Sequence, residues 1–248
     1  MKKLKCLLSL VVVLVLATAF VACDNDDDDS WRMRYPNALV TVKTDGNVCY
    51  FQLDDNTTLL PANITQPMYD GKEVRALVNY KELPDVDERY GKKVQVYWVD
   101  SILTKKPVVT EGSEEADANK YGDDNVDVIN DWVTIAEDGY LTLRFRALWG
   151  GLNPHRINLV TGVNPNDPYE VELRHDSNGD AKNYVADALV AFRLKDVLPD
   201  TKGKVVKLTL KCKTSTGNKT YTFDYATGRS TASANLLHGG IGTLQSVQ

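Results

Sequence analysis

From Ala38 onward, apolar and polar side chains alternate with the two-residue period of half-buried strands. Ala38, Val40 and Val42 alternate with Leu39, Thr41 and Lys43, and Thr44-Asp45-Gly46-Asn47 supplies a tight turn. Val48, Tyr50 and Gln52 then oppose Cys49, Phe51 and Leu53, so both faces hold apolar residues, as in a central strand or a barrel wall. A second turn at Asp54-Asp55-Asn56 precedes Thr57–Pro61. Val74, Ala76 and Val78 share a face in Lys72–Tyr80, as do Val94, Val96 and Trp98 in Lys93–Leu103. Five strands without a convincing helix in residues 35–110 predict a small OB-like barrel.

After an acidic stretch the alternation resumes. Trp132–Ile135 and Tyr140–Arg146 flank Glu137-Asp138-Gly139, a hairpin signal, and Leu141, Leu143 and Phe145 face inward. His155–Val160, Tyr169–His175, Ala188–Leu194, Val205–Lys213 and Thr220–Tyr225 complete seven short strands. The last two form a terminal hairpin with Val206, Leu208, Leu210 and Cys212 on its buried face. This pattern predicts an all-β chain in which an antiparallel β-sandwich over 126–229 follows the barrel, with residues 111–125 an acidic linker and 230–248 a poorly ordered tail.

Charge sharpens the picture mainly at the ends of these segments. The formal net charge of the 248 residues is −5. Without Lys2, Lys3 and Lys5 it becomes −8, or 26 basic against 34 acidic residues. The surplus sits in Asp24–Asp29 and in Glu111–Asp124, and the two domains are each close to neutral. Neither carries the basic excess that binding a nucleic-acid backbone requires. The linker acids lack EF-hand spacing and read as solvated. Cys49 and Cys212 fall in different domains, so buried free thiols are expected rather than a disulfide.

The amino terminus has its own pattern. A basic start, the apolar run Leu7–Phe20 and small Ala22 form a tripartite secretory signal, too short for a comfortable membrane span. Phe20-Val21-Ala22-Cys23 resembles a lipobox, which implies cleavage after residue 22 and lipid on Cys23, although Phe20 stands where Leu is usual. Several acyl chains hold a protein on a membrane far better than one. The alternatives are a plain signal peptide and an uncleaved anchor. Asp24-Asn25-Asp26-Asp27-Asp28-Asp29 reads as a solvated tether over 23–34 and resembles an acidic signal for display on the outer face of the outer membrane. A periplasm-facing address is the alternative.

Candidate binding residues are few. In the barrel, Tyr50, Tyr80, Tyr97 and Trp98 could stack on a ligand or fill the interior. In the sandwich, His155, Arg174, His175 and Asp176 could hold a metal or move protons. His155 is in phase with Ile157 and Leu159, and His175 with Val171 and Leu173, so both imidazoles are expected to face the core. No nucleophile elbow or phosphate-cradling loop accompanies them, and no catalytic residue, metal or cofactor is assigned. Gly150-Gly151 is an isolated pair, and Asp100-Ser101-Ile102 resembles a short bacterial O-glycosylation acceptor.

Trp132-Val133-Thr134-Ile135-Ala136, Gly139–Phe145, His155–Val160, Tyr169–Asp176 and Val190–Leu194 together resemble the carboxy-terminal domain of NigD-like lipoproteins. Gln52-Leu53-Asp54-Asp55 with Thr58-Leu59-Leu60-Pro61 resembles that family's amino-terminal OB domain, and Asp70–Val74 is a loose version of its pattern. The resemblance implies an OB domain and a β-sandwich on a lipid anchor. The family name comes from a bacteriocin gene cluster with a proposed immunity protein. The expected role is a non-catalytic recognition or protective module at the envelope, with a glycan or protein as ligand and no nucleic acid. Alternatives are a structural accessory of an envelope complex and a glycan-active hydrolase.

Overall fold

The computed structural model describes residues 34–54, 56–227 and 244–245. The leader, Cys23 and the acidic tether up to residue 33 lie outside the described residues, as does most of the tail.

Five strands, β1 (Ala38–Asp45), β2 (Val48–Gln52), β3 (Thr58–Pro61), β4 (Val74–Asp87) and β5 (Gly91–Ser101), close on themselves in the order β1-β2-β3-β5-β4. Closure leaves no sheet edge, and Val40, Val42, Phe51, Leu59, Ala76, Val78 and Val94 fill the interior. Gly46 and Asn47 form the two-residue turn between β1 and β2, with Gly46 at φ +61°. The opposite face of this wall is also covered. Leu39, Leu77 and Ile102 pack with Val133, Tyr140, Leu189 and Ala191 of the second domain, which explains why both faces of the first strands are apolar.

Trp98 departs from the face expected of it. Val94 and Val96 enter the barrel, but Trp98 does not share their face. Asn79 pairs with Trp98 and Tyr80 with Val96, so Tyr97 is the extra residue of a β-bulge. The bulge turns Tyr97 outward and sends Trp98 to the contact between the domains.

The sandwich comprises β6 (Leu103–Lys105), β7 (Val108–Val109), β8 (Asp127–Ile129), β9 (Ile135–Glu137), β10 (Tyr140–Trp149), β11 (Arg156–Thr161), β12 (Glu170–Asp176), β13 (Tyr184–Arg193), β14 (Val206–Thr214), β15 (Gly217–Tyr225) and β16 (Leu244–Gln245). One sheet runs β16-β13-β10-β8, with β6 against β13 and β9 against β10, and the other runs β15-β14-β12-β11-β7. The hairpins are antiparallel, whereas β12 and β14 run parallel, as do the short strands β6, β7 and β16 with their neighbours. Leu141, Leu143, Phe145, Ile157, Leu159, Leu173, Phe192, Leu208 and Leu210 form the core between the sheets.

The stretch expected to be a solvated linker is instead folded. Ser113 caps helix α1 (Glu114–Tyr121) by accepting the Ala116 N–H at 3.2 Å, and Glu114, Glu115 and Asp117 lie at the positive end of the helix. Asp117 is buried and accepts from the Thr110 hydroxyl and the Glu111 N–H, both at 2.6 Å. The acids therefore build a helix against the sandwich, with Tyr121 donating to the Val109 carbonyl at 2.9 Å.

The described residues from Tyr35 onward form one compact unit. At the junction of barrel and sandwich the wholly buried Arg75 pairs with Glu137 and donates to Thr41 at 2.9 Å and Thr142 at 3.3 Å. Tyr140 donates to Glu73 at 2.7 Å, and Arg193 donates to the Glu73 carbonyl at 2.8 Å. Lys43 meets Asp138 at 2.9 Å.

Candidate functional site

β10 starts at this junction with Tyr140 and ends nine residues later at Trp149, about 30 Å away at the usual rise of a strand. At that distant end the sandwich buries a chain of polar groups. Trp149 stacks on His155 with ring centroids 3.9 Å apart and planes 12° apart. Nδ1 of His155 is 2.9 Å from Nε2 of His175, and Nδ1 of His175 is 3.1 Å from the Asn125 carbonyl. Nε2 of His155 lies 3.2 Å from Asp180 Oδ2.

Donor and acceptor roles follow from the chemistry. The Asn125 carbonyl only accepts, so Nδ1 of His175 carries a hydrogen. Burial pushes the His175 imidazole down to about 4, with His155 acting in the same direction, so His175 is neutral and its Nε2 accepts from His155. Asp180 is the last acceptor. Against the upward push of burial, the N–H groups of Gly150, Leu152, Gly151 and Asn153 hold its carboxyl well below the usual carboxylate range. These four contacts span 2.6 to 3.3 Å and wrap the loop after β10 around the buried Asp180 side chain.

Glycine makes that wrapping possible. A Cβ on Gly150 would lie 2.5 Å from the Ala181 carbonyl oxygen, and Gly151 has φ +80°. A third glycine, Gly122, passes so close to the His175 carbonyl that a Cβ there would collide with it. This approach lets the Asp124 N–H bond that carbonyl at 2.9 Å and sets Asn125 against His175.

A cleft of about 260 Å³ opens beside the chain, lined by Asp124, Asp127, Arg146, Leu148, His175 and Lys182 among others. Its polar groups are mutually engaged. Asp124 is held down to about 2 because, against its partial burial, it accepts from the Ser177 hydroxyl and N–H and from Lys182. Arg146 reaches Asp187 at 2.6 Å. Among the described residues no group of three or more His, Cys, Asp or Glu could hold a metal ion. The arrangement supplies a rigid, charged surface with hydrogen-bonding capacity, and its imidazoles are committed to each other, to Asn125 and to Asp180.

Exposed apolar side chains lie at this end of the sandwich, and of these Leu148 and Val185 line the cleft. Leu148 is 44% exposed and Leu152 84%, and Tyr184 and Val185 are 43% and 60% exposed. Leu148 pairs across the sheet with Val185 and Trp149 with Tyr184, and the Tyr184 hydroxyl is 3.2 Å from the Cβ position of Gly151.

The barrel aromatics are dispersed. Tyr50 lies against Tyr90 at 5.2 Å, and Arg89 covers the Tyr90 ring at 5.3 Å. Tyr80 packs on the barrel core, and burial pushes its hydroxyl up to about 12. Tyr97 is exposed on its bulge, and Trp98 packs at the domain junction. In the sandwich, buried Arg174 ion-pairs with Asp123 at 3.2 Å and Glu172 at 3.0 Å, and Asp176 pairs with Arg156 at 3.2 Å. Only the two histidines join one network. Sequence reasoning missed Asp180, Trp149 and the Leu152 loop, although a glycine pair followed by an apolar residue in a polar loop was their visible signal.

Two family models match the chain: the NigD-like N-terminal OB domain at residues 39–102 and the NigD-like C-terminal beta sandwich domain at residues 107–225. The chain belongs to the NigD-like family. The match to the NigD-like sandwich contains α1, in accord with its packing on that domain.

A toxin-related protein of Parabacteroides distasonis is 37% identical, with 76% of this chain and 92% of that one covered at a TM-score of 0.65. A protein of unknown function from Bacteroides vulgatus is 19% identical, with coverages of 83% and 94% and a TM-score of 0.63. A NigD-like immunity protein from Bacteroides caccae is 19% identical, with coverages of 76% and 96% and a TM-score of 0.54. The two 19% likenesses concern the fold alone. No curated protein matches the chain. No helix among the described residues of this NigD-like chain is long and apolar enough to cross a membrane.

Proposed function

We propose that the mature protein is held on the cell envelope by lipid on Cys23, displayed on the outer face of the outer membrane, and acts there as a non-catalytic recognition module of the protective, immunity-like kind. The observation that carries the recognition reading is the solvent-exposed Leu152, presented by a loop that a buried carboxylate holds in place. Apolar side chains fixed in water by such a framework mark surfaces built for contact. The buried imidazoles favour a structural part for His155 and His175, because each ring contact is spent inside the protein. The names of relatives, one toxin-related and one an immunity protein, give the protective version its direction. The anchor rests on the lipobox-like Phe20–Cys23 and the acidic run after it.

The decisive experiment is deletion of the gene in a strain that also encodes a toxin. The deletion strain should become sensitive, and the Cys23→Ser protein, which takes no acyl group, should fail to restore resistance. Unchanged killing removes the protective reading. A second reading, an accessory lipoprotein of an envelope complex, is favoured by the same exposed apolar surface. In that case intact-cell crosslinking should recover a stable assembly while deletion leaves toxin sensitivity as it was.

A further inference from the structure

We propose that the end of β10 is a docking site for an extended, acidic segment of a partner protein, which lays an apolar side chain on Leu148 and Val185 in the cleft wall and adds its backbone to the free edge of β10. The proposal deepens the recognition reading and rests on it.

Backbone geometry supplies the first argument. β8 pairs with β10 only as far as Arg146, opposite Asp127, and among the described residues no strand continues that edge. The Arg144 N–H points to this side, towards Thr134 Oγ1 at 3.1 Å. By the two-residue alternation of a strand, Leu148 directs its N–H and C=O the same way, into the cleft that Asn125 also lines. A main-chain donor and acceptor side by side on a strand edge match another extended polypeptide.

Charge supplies the second. In each ion pair made by a residue lining the cleft the cation is the more exposed member: Lys182 at 57% against Asp124 at 30%, Arg146 at 47% against Asp187 at 8%, and Lys219 at 47% against Asp127 at 34%. The surface offered to a partner is cationic at its rim, which suits a carboxylate in the docked segment. An anionic bilayer would satisfy the rim but leave the Leu148 main chain without a partner.

The test places a photo-crosslinking benzoylphenylalanine at Leu148 or at Val185 in the full-length protein, in the cell that makes it. A control position is Val86, which is 70% exposed in the barrel's β4–β5 hairpin. A discrete adduct with a second, different polypeptide at 148 and 185 but not at 86 is the expected result. With the probe at 148, Val185→Asp should lower the adduct at least about ten-fold, and Lys182→Gln about five-fold, with the melting temperature nearly unchanged. An adduct of twice the chain mass means a second copy, and adducts with lipid alone mean a bilayer. Either overturns the proposal. Adducts at 86 only would leave the recognition reading standing and remove this site, and no adduct at any position would sink both.

Discussion

The two ends of β10 both bury charge, and they do so with different chemistry. At the junction Arg75 is sealed with Glu137, and hydroxyls of Thr41 and Thr142 take up two more of its hydrogens, so a full ion pair ties barrel to sandwich. At the other end Asp180 accepts from four backbone N–H groups and from His155, whose second ring nitrogen donates to His175, which in turn donates to the Asn125 carbonyl. The first arrangement joins two domains. The second stiffens a loop at the surface. Buried charge is thus used once for coupling and once for presentation, and only the second leaves apolar side chains in water.

Removing one member of the junction pair has the largest expected effect. Glu137→Leu leaves the Arg75 guanidinium buried without its counter-ion and should cost about 3–5 kcal/mol by chemical denaturation. The Arg75→Met, Glu137→Leu double variant should recover most of that loss, because an apolar pair of similar volume needs no counter-ion.

The distant end is set apart by acid. His175 sits near 4 in the fold, against about 6.5 in an unfolded chain, so between these values the unfolded state binds more protons. The His175 contribution to stability should therefore fall as pH drops from about 6.5 to 4, by on the order of 3 kcal/mol, and below 4 the loss continues through Asp124, whose carboxyl is held down to about 2. His175→Gln should flatten that window in a pH series of melting curves. A dependence that survives the substitution would place the titrating group elsewhere.

Glycine substitutions divide the loop itself. Gly150→Ala drives a methyl group into the Ala181 backbone and should cost about 2 kcal/mol, whereas Gly179→Ala meets open space and carries only the strain of φ +72°, about 1 kcal/mol. At the junction again, Tyr140→Phe removes one hydrogen bond to Glu73 while the ring keeps its packing, so a loss of about 1 kcal/mol is expected. Thermal denaturation of each variant checks the ranking.

Much of this fold was legible from alternation alone. The turns Gly46-Asn47 and Asp138-Gly139 sit where the pattern breaks, and each joins antiparallel strands through residues at positive φ or their neighbours. The inward phase of His155 and His175 was readable for the same reason. Other features lacked a local signal. α1 buries only Asp117 and Tyr121, one turn apart, so its apolar stripe is almost absent and its acids look like solvated chain. The bulge at Tyr97 changes the face of Trp98 without altering composition, because register is decided by the partner strand. Asp180 follows Ser177-Asn178-Gly179 and looks like turn chemistry. Its task depends on a loop about 30 residues earlier in the chain.

Native-state hydrogen exchange of the Gly150–Asn153 amides tests the central claim most directly, since the claim is that a buried carboxylate holds an exposed loop rigid. Those amides should exchange far more slowly than an unstructured peptide at neutral pH, and Asp180→Asn should release them while Tyr140, at the other end of the same strand, stays protected. Exchange at peptide rates in the unmodified protein would contradict the account, because Leu152 would then be carried by a mobile loop and no recognition surface would be held ready.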